Sequence, residues 1–385
     1  QAKNKKIIVF LDELPWLVTP RSRLMQTLDY YWNRHWSHNN NIKLIVCGSA
    51  ATWMLSHLIN EEGGLYNRVS RVIKLEPFDL RITRVYLKSL GLNYNYEQVL
   101  EIYMAFGGIP HYLNFLKKGL SATQNINETC FTAGHKLRDE FPRLFRSLFE
   151  NHEACEEIVR VIAQHKYGIT RSALLKKLKR SEDGGRLTAR LRELEASGFI
   201  KCFISESREK GQYYKVLDEY SLFYLTWIEK TKRGRLAKNY WQSIAGTAGF
   251  HTWSGYAYET ICEKHLIHIC HALHIPDGSI AYNWRYAAGK NKDVPGAQID
   301  LLFDRPDKTM TICEIKNNCA PYKIDKAYAE NLQQKIKVYQ QKSKTVKSIQ
   351  LSFITNAGLK ETMYSEALVF NSMSLKDFFL QLRED

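Results

Sequence analysis

The stretches AQIDLLF, at residues 297–303, and TICEIK, at residues 311–316, decide the fold of the C-terminal part of this chain. Each is an apolar run of strand length, and the turn-forming segment DRPDK, at residues 304–308, connects the two as a hairpin. Asp300 interrupts the first strand, and a Glu-x-Lys, Glu314 and Lys316, ends the second. Because side chains two residues apart share one face of a strand, Lys316 is expected beside Glu314.

Two carboxylates on adjacent strands predict a site for a divalent cation. Mg²⁺ prefers oxygen ligands and commonly binds through one or two carboxylates together with phosphate. Such an ion polarises a phosphodiester and lowers the pKa of an attacking water. Lys316 can orient that water or stabilise the developing charge. Upstream, GYAYE at residues 255–259 predicts the start of a helix that continues through Leu266, and this helix can add Glu259 as a third carboxylate.

This set resembles the PD-(D/E)XK nuclease superfamily over roughly residues 250 to 385. The resemblance implies that Glu259 is the helix glutamate of the active site, that Asp300 and Glu314 are the ligands of Mg²⁺ or Mn²⁺, and that Lys316 is the catalytic lysine. A further helix, expected around residues 331–341, agrees with this interpretation. Taken alone, the Glu-x-Lys is also compatible with an exposed cross-strand ion pair.

The other end of the chain carries a second set of motifs. KKIIVFLDE, at residues 5–13, predicts a strand buried on both faces, as in a parallel α/β sheet. IKLIVCGSA, at residues 42–50, predicts a second such strand after a helix-length interval. Polar residues at the carboxyl ends of parallel strands lie where these sheets bind ligands. LYNRVSRVIKLEPF and FGGIPHYL follow at residues 65–78 and 106–113.

These four motifs, in this order, resemble the AAA+ ATPases of the archaeal-type family over roughly residues 1 to 230. The resemblance implies a Walker B motif in which Asp12 holds the Mg²⁺ of a nucleotide and Glu13 polarises the hydrolytic water. It also implies that Ser49 is the sensor-1 residue and that Arg68 and Arg71 contribute to nucleotide binding. Each motif alone is also compatible with an ordinary buried strand or turn.

The phosphate-binding P-loop of such ATPases, G-x-x-x-x-G-K-[ST], does not occur anywhere in the sequence. We therefore expect that residue 1 is not the natural start and that the first part of an ATPase domain has been removed, or else that the chain is a natural remnant. In either case we expect this chain alone not to bind ATP tightly, so that ATP is a cofactor of the intact protein only. The open sheet is expected to leave apolar surface uncovered.

The composition indicates a polyanionic partner. The net charge is +15 and the pI is about 9.3, and residues 160–240 hold 19 Lys and Arg against 9 Asp and Glu. The eight cysteines form no C-x-x-C pair, so neither a zinc site nor a disulfide framework is indicated and a cytoplasmic location is expected. No apolar run reaches the ~18 residues that span a bilayer, so no membrane partner is expected. A homo-oligomer stays open.

The basic middle of the chain predicts a winged helix, in which Arg186, Arg190 and Lys179 contact DNA phosphates. The expected order is three helices and a hairpin, at residues 156–165, 170–178, 185–195, and 199–204 with 212–216. Thr170 is the expected N-cap of the second helix. The alternative is a solvated basic face used only for packing. Four histidines at three-residue spacing, beginning at His265, are expected to be structural.

The sequence therefore predicts an α/β protein in three parts. These are a partial AAA+ parallel-sheet domain with a helical lid region at residues 1–150, a winged helix and linker at 151–238, and a PD-(D/E)XK-like α/β domain at 239–385. The predicted function is DNA binding with Mg²⁺-dependent phosphodiester hydrolysis, gated by ATP in the intact protein. The alternative is a signalling or scaffold ATPase whose C-terminal domain binds partners without cleaving.

Overall fold

The chain is a mixed α/β protein, which confirms the predicted fold class. The computed structural model describes residues 5–19, 21–49, 51–54, 57–58, 68–132, 134–178, 184–204, 212–231, 238–286 and 294–382. The chain forms two compact units. The first comprises Gln1–Glu76, Pro142–Ile158 and Leu178–Ile200, and the second comprises Pro77–Phe141, Val159–Lys177 and Lys201–Asp385.

The helices are, in chain order, α1 (Leu14–Leu17), α2 (Leu24–Tyr31), α3 (Ala51–Met54), α4 (Leu80–Ser89), α5 (Tyr96–Phe106), α6 (Pro110–Leu113), α7 (Ala122–Ile126), α8 (Glu140–Leu148), α9 (His152–Ala163), α10 (Arg171–Lys177), α11 (Gly184–Ala196), α12 (Glu219–Phe223), α13 (Glu229–Thr231), α14 (Tyr240–Ile244), α15 (Ala248–Lys264), α16 (Leu266–Ala272), α17 (Lys326–Ser343) and α18 (Met363–Leu368). Short π-helical turns occur at Trp32–Trp36, Asn127–Phe131 and Tyr224–Ile228, and 3₁₀ turns at Lys136–Arg138 and Leu375–Phe379.

The strands are, in chain order, β1 (Ile7–Leu11), β2 (Ile42–Val46), β3 (Ile169–Thr170), β4 (Ile200–Ile204), β5 (Gln212–Val216), β6 (Ile280–Tyr286), β7 (Ala297–Asp304), β8 (Thr309–Lys316), β9 (Ser348–Thr355) and β10 (Val369–Met373).

In the first unit, β1 and β2 pair in parallel from Ile7 opposite Ile42 to Leu11 opposite Val46, as expected for an α/β sheet. The prediction that β1 is buried on both faces is wrong, because Ile8 and Phe10 are 65% and 57% exposed. Within the described residues β1 has β2 as its one strand neighbour, so its apolar side chains are left uncovered. This agrees with the expected exposure of apolar surface.

The second unit contains a five-stranded sheet in the order β10-β9-β8-β7-β6. The strands β6, β7 and β8 are antiparallel neighbours, whereas β8, β9 and β10 run parallel. The predicted hairpin of β7 and β8 is confirmed, and its turn places Lys308 at a φ of 61°. Trp284, Leu302, Ile312, Phe353 and the α17 residue Leu332 belong to one buried cluster. The apolar runs of these strands therefore form the core beside the five-stranded sheet.

The basic middle of the chain contains the predicted elements with shifted ends. Here β3, β5 and β4 form a three-stranded sheet in that order, and α9 begins at His152 rather than at residue 156. The expected cap of α10 is confirmed, since the Ala173 N–H donates to Thr170 Oγ1 at 3.2 Å. These segments fall partly in each unit, and the three-part domain division stays a prediction.

One predicted helix has different boundaries. We expected a helix that opens at Gly255 and continues through Leu266, but α15 begins at Ala248, where the Thr247 side chain accepts the Phe250 N–H. The helix ends at Lys264 because His265 leaves the helical conformation, with φ −114° and ψ 34°. The His265 ring is buried and accepts the Leu80 N–H at Nε2, 3.0 Å away, which agrees with the expected structural role.

The FGGIP segment after α5 is a tight backbone crossing. The Phe78 N–H donates to the Gly108 carbonyl at 2.9 Å. A Cβ atom at Gly108 would lie 1.8 Å from the Phe78 carbonyl oxygen, so only glycine fits there. Gly107 has a φ of 61°, and a Cβ atom on it would lie 2.6 Å from a carboxylate oxygen of the buried Glu219. Both glycines therefore serve close packing in this structure.

Candidate functional site

Asp300 lies where two strands of the large sheet separate. The antiparallel pairing of β7 with β8 runs from Asp304 opposite Met310 to Leu301 opposite Cys313, where the ladder ends. The next residue pair in this register would be Asp300 and Glu314. Instead of continuing the ladder, Asp300 accepts the Ile315 N–H through Oδ2 at 3.1 Å. Its carboxylate is thereby held at the fork between the strands, close to Glu314.

Glu314 is the most enclosed carboxylate of the site, with a side chain only 1% exposed. Its Oε2 accepts from Lys316 Nζ at 3.2 Å and from the Tyr328 hydroxyl at 2.7 Å. Its Oε1 accepts from Lys335 Nζ at 2.6 Å. Burial works to raise the pKa of Glu314, but the Lys316 and Lys335 ammonium groups outweigh it and hold the pKa below its usual range. Glu314 is therefore ionised at neutral pH.

Asp300 and Glu259 have the opposite electrostatics. Burial, followed by the charge of Glu314, raises the pKa of Asp300 to about 6. Burial, followed by the charge of Asp300, raises the pKa of Glu259 to about 8. Carboxylates that repel one another in a partly buried place are stabilised by a nearby cation. The three predicted carboxylates are thus electrostatically linked, from α15 across β7 to β8.

Lys316 lies on the same side as Glu314, as the alternation along the strand predicts. Burial works to lower the pKa of Lys316, but Glu314 and Asp300 outweigh it and raise the pKa, so the group is a cation. Its ammonium also lies 5.3 Å from the centre of the Tyr328 ring. The Lys316 side chain is 26% exposed and that of Glu314 is 1% exposed. The pair they form is therefore not the exposed ion pair of the alternative interpretation of the Glu-x-Lys.

Four participants were missed at the level of sequence. Tyr328 and Lys335 come from α17, and Lys215 and Glu263 form a further buried ion pair beside Glu259. The sequence carried one weak signal for the first two. They are seven residues apart, about two helical turns, and so share one face of α17, but the helix expected at residues 331–341 included only Lys335. For Lys215, on a strand distant in sequence, no local pattern indicated the contact.

The N-terminal motif residues also meet at one place in the first unit. Glu13 has a φ of 49° and its Oε2 accepts from the Ser49 N–H at 3.2 Å and from Ser49 Oγ at 3.0 Å. The Cys47 thiol donates to Asp12 Oδ1 at 2.8 Å. The structure therefore brings Asp12, Glu13 and Ser49 together at the carboxyl ends of β1 and β2. Arg68 instead pairs with Asp29 of α2 at 2.8 Å, and the neighbouring motif residue Arg71 is exposed.

Two of the residues expected to contact DNA, Arg186 and Arg190, lie on α11. Arg186 is exposed in the first turns of this helix, whereas Arg190 is partly buried. Burial raises the pKa of Glu193, and the positive charge of Arg190 offsets only part of this rise. Lys179 lies outside the described residues. Of the two described arginines, Arg186 is therefore the better placed to meet a phosphate group.

Comparison with known proteins finds distant similarities. No family model matches the chain. The chain is 26% identical over 320 residues to an uncharacterized protein of Methanocaldococcus jannaschii, covering 81% of this chain and 68% of that protein. It resembles the Walker-type ATPase of Pyrococcus abyssi with a TM-score of 0.41 and 21% identity, over 57% of this chain. The match spans 62% of the length of that ATPase.

Two further features of the described residues bear on the site. None of their helices has both the length and the apolar character needed to cross a bilayer. They also contain no group of three or more His, Cys, Asp and Glu side chains arranged to hold a metal ion. A cation at the fork of β7 and β8 would therefore depend on Asp300 and Glu314, which is within the one or two carboxylates that Mg²⁺ commonly uses.

Proposed function

We propose that this protein binds DNA and hydrolyses phosphodiester bonds at the fork of β7 and β8, with Mg²⁺ or Mn²⁺ as cofactor. The observation that supports this most is the convergence of Asp300, Glu314 and Lys316 at the end of one strand ladder. This is the carboxylate and lysine set on which the resemblance to the PD-(D/E)XK nucleases rests. The mixed order of the five-stranded sheet supports the same assignment for the C-terminal part of the chain.

The donor set fits a hard divalent cation. Asp300 and Glu314 offer carboxylate oxygens, and the raised pKa values of Asp300 and Glu259 reflect burial and mutual repulsion that a cation would relieve. Asp300 and Glu314 would hold the ion, with Glu259 nearby. When bound, such an ion lowers the pKa of water and polarises a phosphate oxygen. Lys316, a cation held in place by Glu314, can stabilise the negative charge that develops on the phosphate.

DNA is the proposed substrate because of the charge distribution. The chain has a net charge of +15, and the exposed Arg186 lies on α11 within the most basic stretch. Phosphate contacts from such residues supply most of the non-specific affinity of DNA-binding proteins. The order of helices followed by the β4 and β5 strands supports a winged-helix role for the region. We further propose that the Asp12, Glu13 and Ser49 cluster makes the activity of the intact protein respond to ATP.

One observation favours the alternative, a scaffold that binds partners without cleaving. Both carboxylate oxygens of Glu314 already accept hydrogen bonds from Lys316, Tyr328 and Lys335. A network satisfied in this way can stabilise a fold without a cation. The two functions differ in what Lys316 does, since a scaffold needs Lys316 only for the ion pair, which Lys335 duplicates.

The test is cleavage of supercoiled plasmid and of single-stranded DNA with Mg²⁺, with Mn²⁺ and with EDTA. We expect cleavage only with the cations, and we expect Lys316→Met to reduce its rate by about 100-fold or more. The matched control is Lys337→Met, which removes an exposed lysine of α17 and should leave the rate unchanged. Equal cleavage by Lys316→Met and wild-type protein, or no cleavage by the wild-type protein, would favour the scaffold.

A further inference from the structure

Lys215 reaches the carboxylate site from β5, a strand of the basic middle region. Its Nζ lies 2.9 Å from Glu263 Oε1, and the two side chains are only 15% and 8% exposed. The Asn283 side-chain amide donates to the same Glu263 oxygen at 3.1 Å and also to the Asp300 carbonyl. Lys215 is therefore tied through Glu263 and Asn283 to the backbone of the strand that carries Asp300.

The charges around Lys215 belong to the same site. Glu263 and Glu259 are four residues apart on α15 and so share a helix face. Burial works to lower the pKa of Lys215, but the charges of Glu263, Glu259 and Asp300 outweigh it and raise the pKa. A buried ammonium is strongly unfavourable unless it is paired. The alternative that the basic region is only a solvated face therefore does not describe Lys215.

We propose that Lys215 is a positioning residue of this site, an internal cation that holds Glu263, screens Glu259 and Asp300, and thereby weakens binding of a divalent cation. The inference rests on the proposed function, because it concerns the same cation site. The position of Lys215 on β5 and the cation affinity of the site are then coupled, so a movement that withdraws Lys215 from the carboxylates strengthens cation binding. By reciprocity, cation binding favours withdrawal of Lys215.

The sign of the effect follows from charge. Removal of the Lys215 ammonium leaves the carboxylates more negative, which attracts both protons and divalent cations. A divalent cation carries twice the charge of a proton, so the added attraction for the cation exceeds the added competition from protonation. We therefore expect Lys215→Met to bind a divalent cation about tenfold more tightly than the wild-type protein, whereas Lys215→Arg keeps the charge and the wild-type affinity.

The experiment measures Mn²⁺ binding to the full chain without DNA, from the electron paramagnetic resonance signal of free Mn²⁺. It compares wild type, Lys215→Met, Lys215→Arg, Glu263→Gln and the double variant Lys215→Met/Glu263→Gln. The double variant loses one charge of each sign, so its affinity should return close to that of the wild type. The double variant also lacks Lys215 but leaves no unpaired Glu263 carboxylate. If Lys215→Met alone does not fold, the effect of losing Lys215 on Mn²⁺ affinity is therefore obtained by comparing the double variant with Glu263→Gln.

The outcomes separate the two proposals. Tighter Mn²⁺ binding on loss of Lys215, either in the wild-type protein or in Glu263→Gln, supports the proposed role of Lys215. A purely structural role would lower thermal stability and leave the Mn²⁺ affinity unchanged, which overturns this inference while the proposed nuclease site stands. Binding that is equally tight in Asp300→Asn, or the absence of Mn²⁺ binding in every variant, overturns the cation site itself and the Lys215 inference with it.

Discussion

At the scale of single residues, neighbouring carboxylates differ in which cations accompany them. Glu314 has Lys316 and Lys335 within hydrogen-bonding distance, and its pKa is lowered despite burial. For Glu259, burial followed by the charge of Asp300 outweighs the attraction of Lys215 and Lys316 and raises the pKa to about 8. Carboxyl groups with opposite shifts in one site are suited to different roles, one permanently ionised and one able to hold a proton near neutral pH.

The raised pKa of Glu259 predicts a pH-dependent stability. Because the folded pKa is about 8 and the ordinary value is 4.5, the folded protein holds a proton that the unfolded chain has lost between these pH values. The stabilisation from this proton is present at low pH and is lost as the pH rises through 8. We expect the metal-free protein to lose about 1 kcal/mol of stability from pH 7 to pH 8.

Urea unfolding at these two pH values in EDTA measures this loss. The range from pH 7 to pH 8 avoids the titration of His265. Burial lowers the pKa of His265 to about 4, so this residue makes stability rise with pH, but only below its ordinary pKa of 6.5. Glu259→Gln should remove the pH dependence, and Glu361→Gln, at an exposed position, should keep it. A slope that persists in Glu259→Gln would show that another group titrates.

The side chains that alternate along one strand could be predicted from sequence, and those that arrive from elsewhere could not. Glu314 and Lys316 share a face because of the two-residue period of a strand, and Asp300 follows from the hairpin register. Lys335 and Tyr328 depend on how α17 packs, and Lys215 on how β5 packs. Such long-range contacts leave no periodic signal in the chain.

At the scale of elements, the FGGIP crossing predicts a sharp difference between two glycines. Gly108→Ala would place a methyl group 1.8 Å from the Phe78 carbonyl oxygen, so the backbone must move and Phe78 loses its hydrogen bond. We expect a destabilisation of more than about 2 kcal/mol. Gly255→Ala, in the interior of α15 with open space around its Cβ position, should stabilise by up to about 1 kcal/mol.

Urea unfolding of both variants tests this difference. Equal stability of Gly108→Ala and the wild-type protein would show that the crossing tolerates a side chain and that the glycine pair has another purpose.

The strands were more predictable than the helix ends. The apolar runs gave β1, β2, β7 and β8 nearly in full because turn residues bound each run. The start of α15 was misplaced by seven residues, at residue 255 instead of 248, since its cap is a single threonine hydrogen bond and the Gly255 in its interior suggested a boundary. The exposure of β1 depends on which strands lie beside it, and the apolar sequence cannot specify that.

At the scale of the whole molecule, the excess positive charge predicts salt-sensitive binding to DNA. Arg186 is exposed on α11, so a phosphate contact by this residue would release about one counterion. We expect Arg186→Ala to weaken binding similarly across DNA sequences and to reduce the slope of log K against log salt by about one. Fluorescence anisotropy over a salt series measures this slope. Lys88→Ala, an exposed change on α4, is the control, and an unchanged slope for Arg186→Ala would assign α11 to packing.

The fold class was predictable at this scale because alternating helices and apolar strands are typical of α/β proteins. The division of the chain into two compact units could not be predicted from the sequence in the same way. The helices and strands predicted as one winged helix fall partly in each compact unit. A local reading of helix and hairpin order identifies the elements of a motif, whereas the grouping of those elements depends on contacts between segments that are far apart in the chain.

The most direct measurement is the rate of DNA cleavage by Asp300→Asn, compared with Asp304→Asn on the same strand. Asn keeps the shape of Asp300 but removes a charge that the cation needs, so cleavage with Mg²⁺ or Mn²⁺ should fall by about 100-fold or more. Folding and metal-free DNA affinity should hold or improve, because one of several repelling carboxylates is gone. Asp304, which pairs with Lys347, should be dispensable for cleavage. Undiminished cleavage by Asp300→Asn, or its loss through unfolding alone, would contradict a cation site at the fork of β7 and β8.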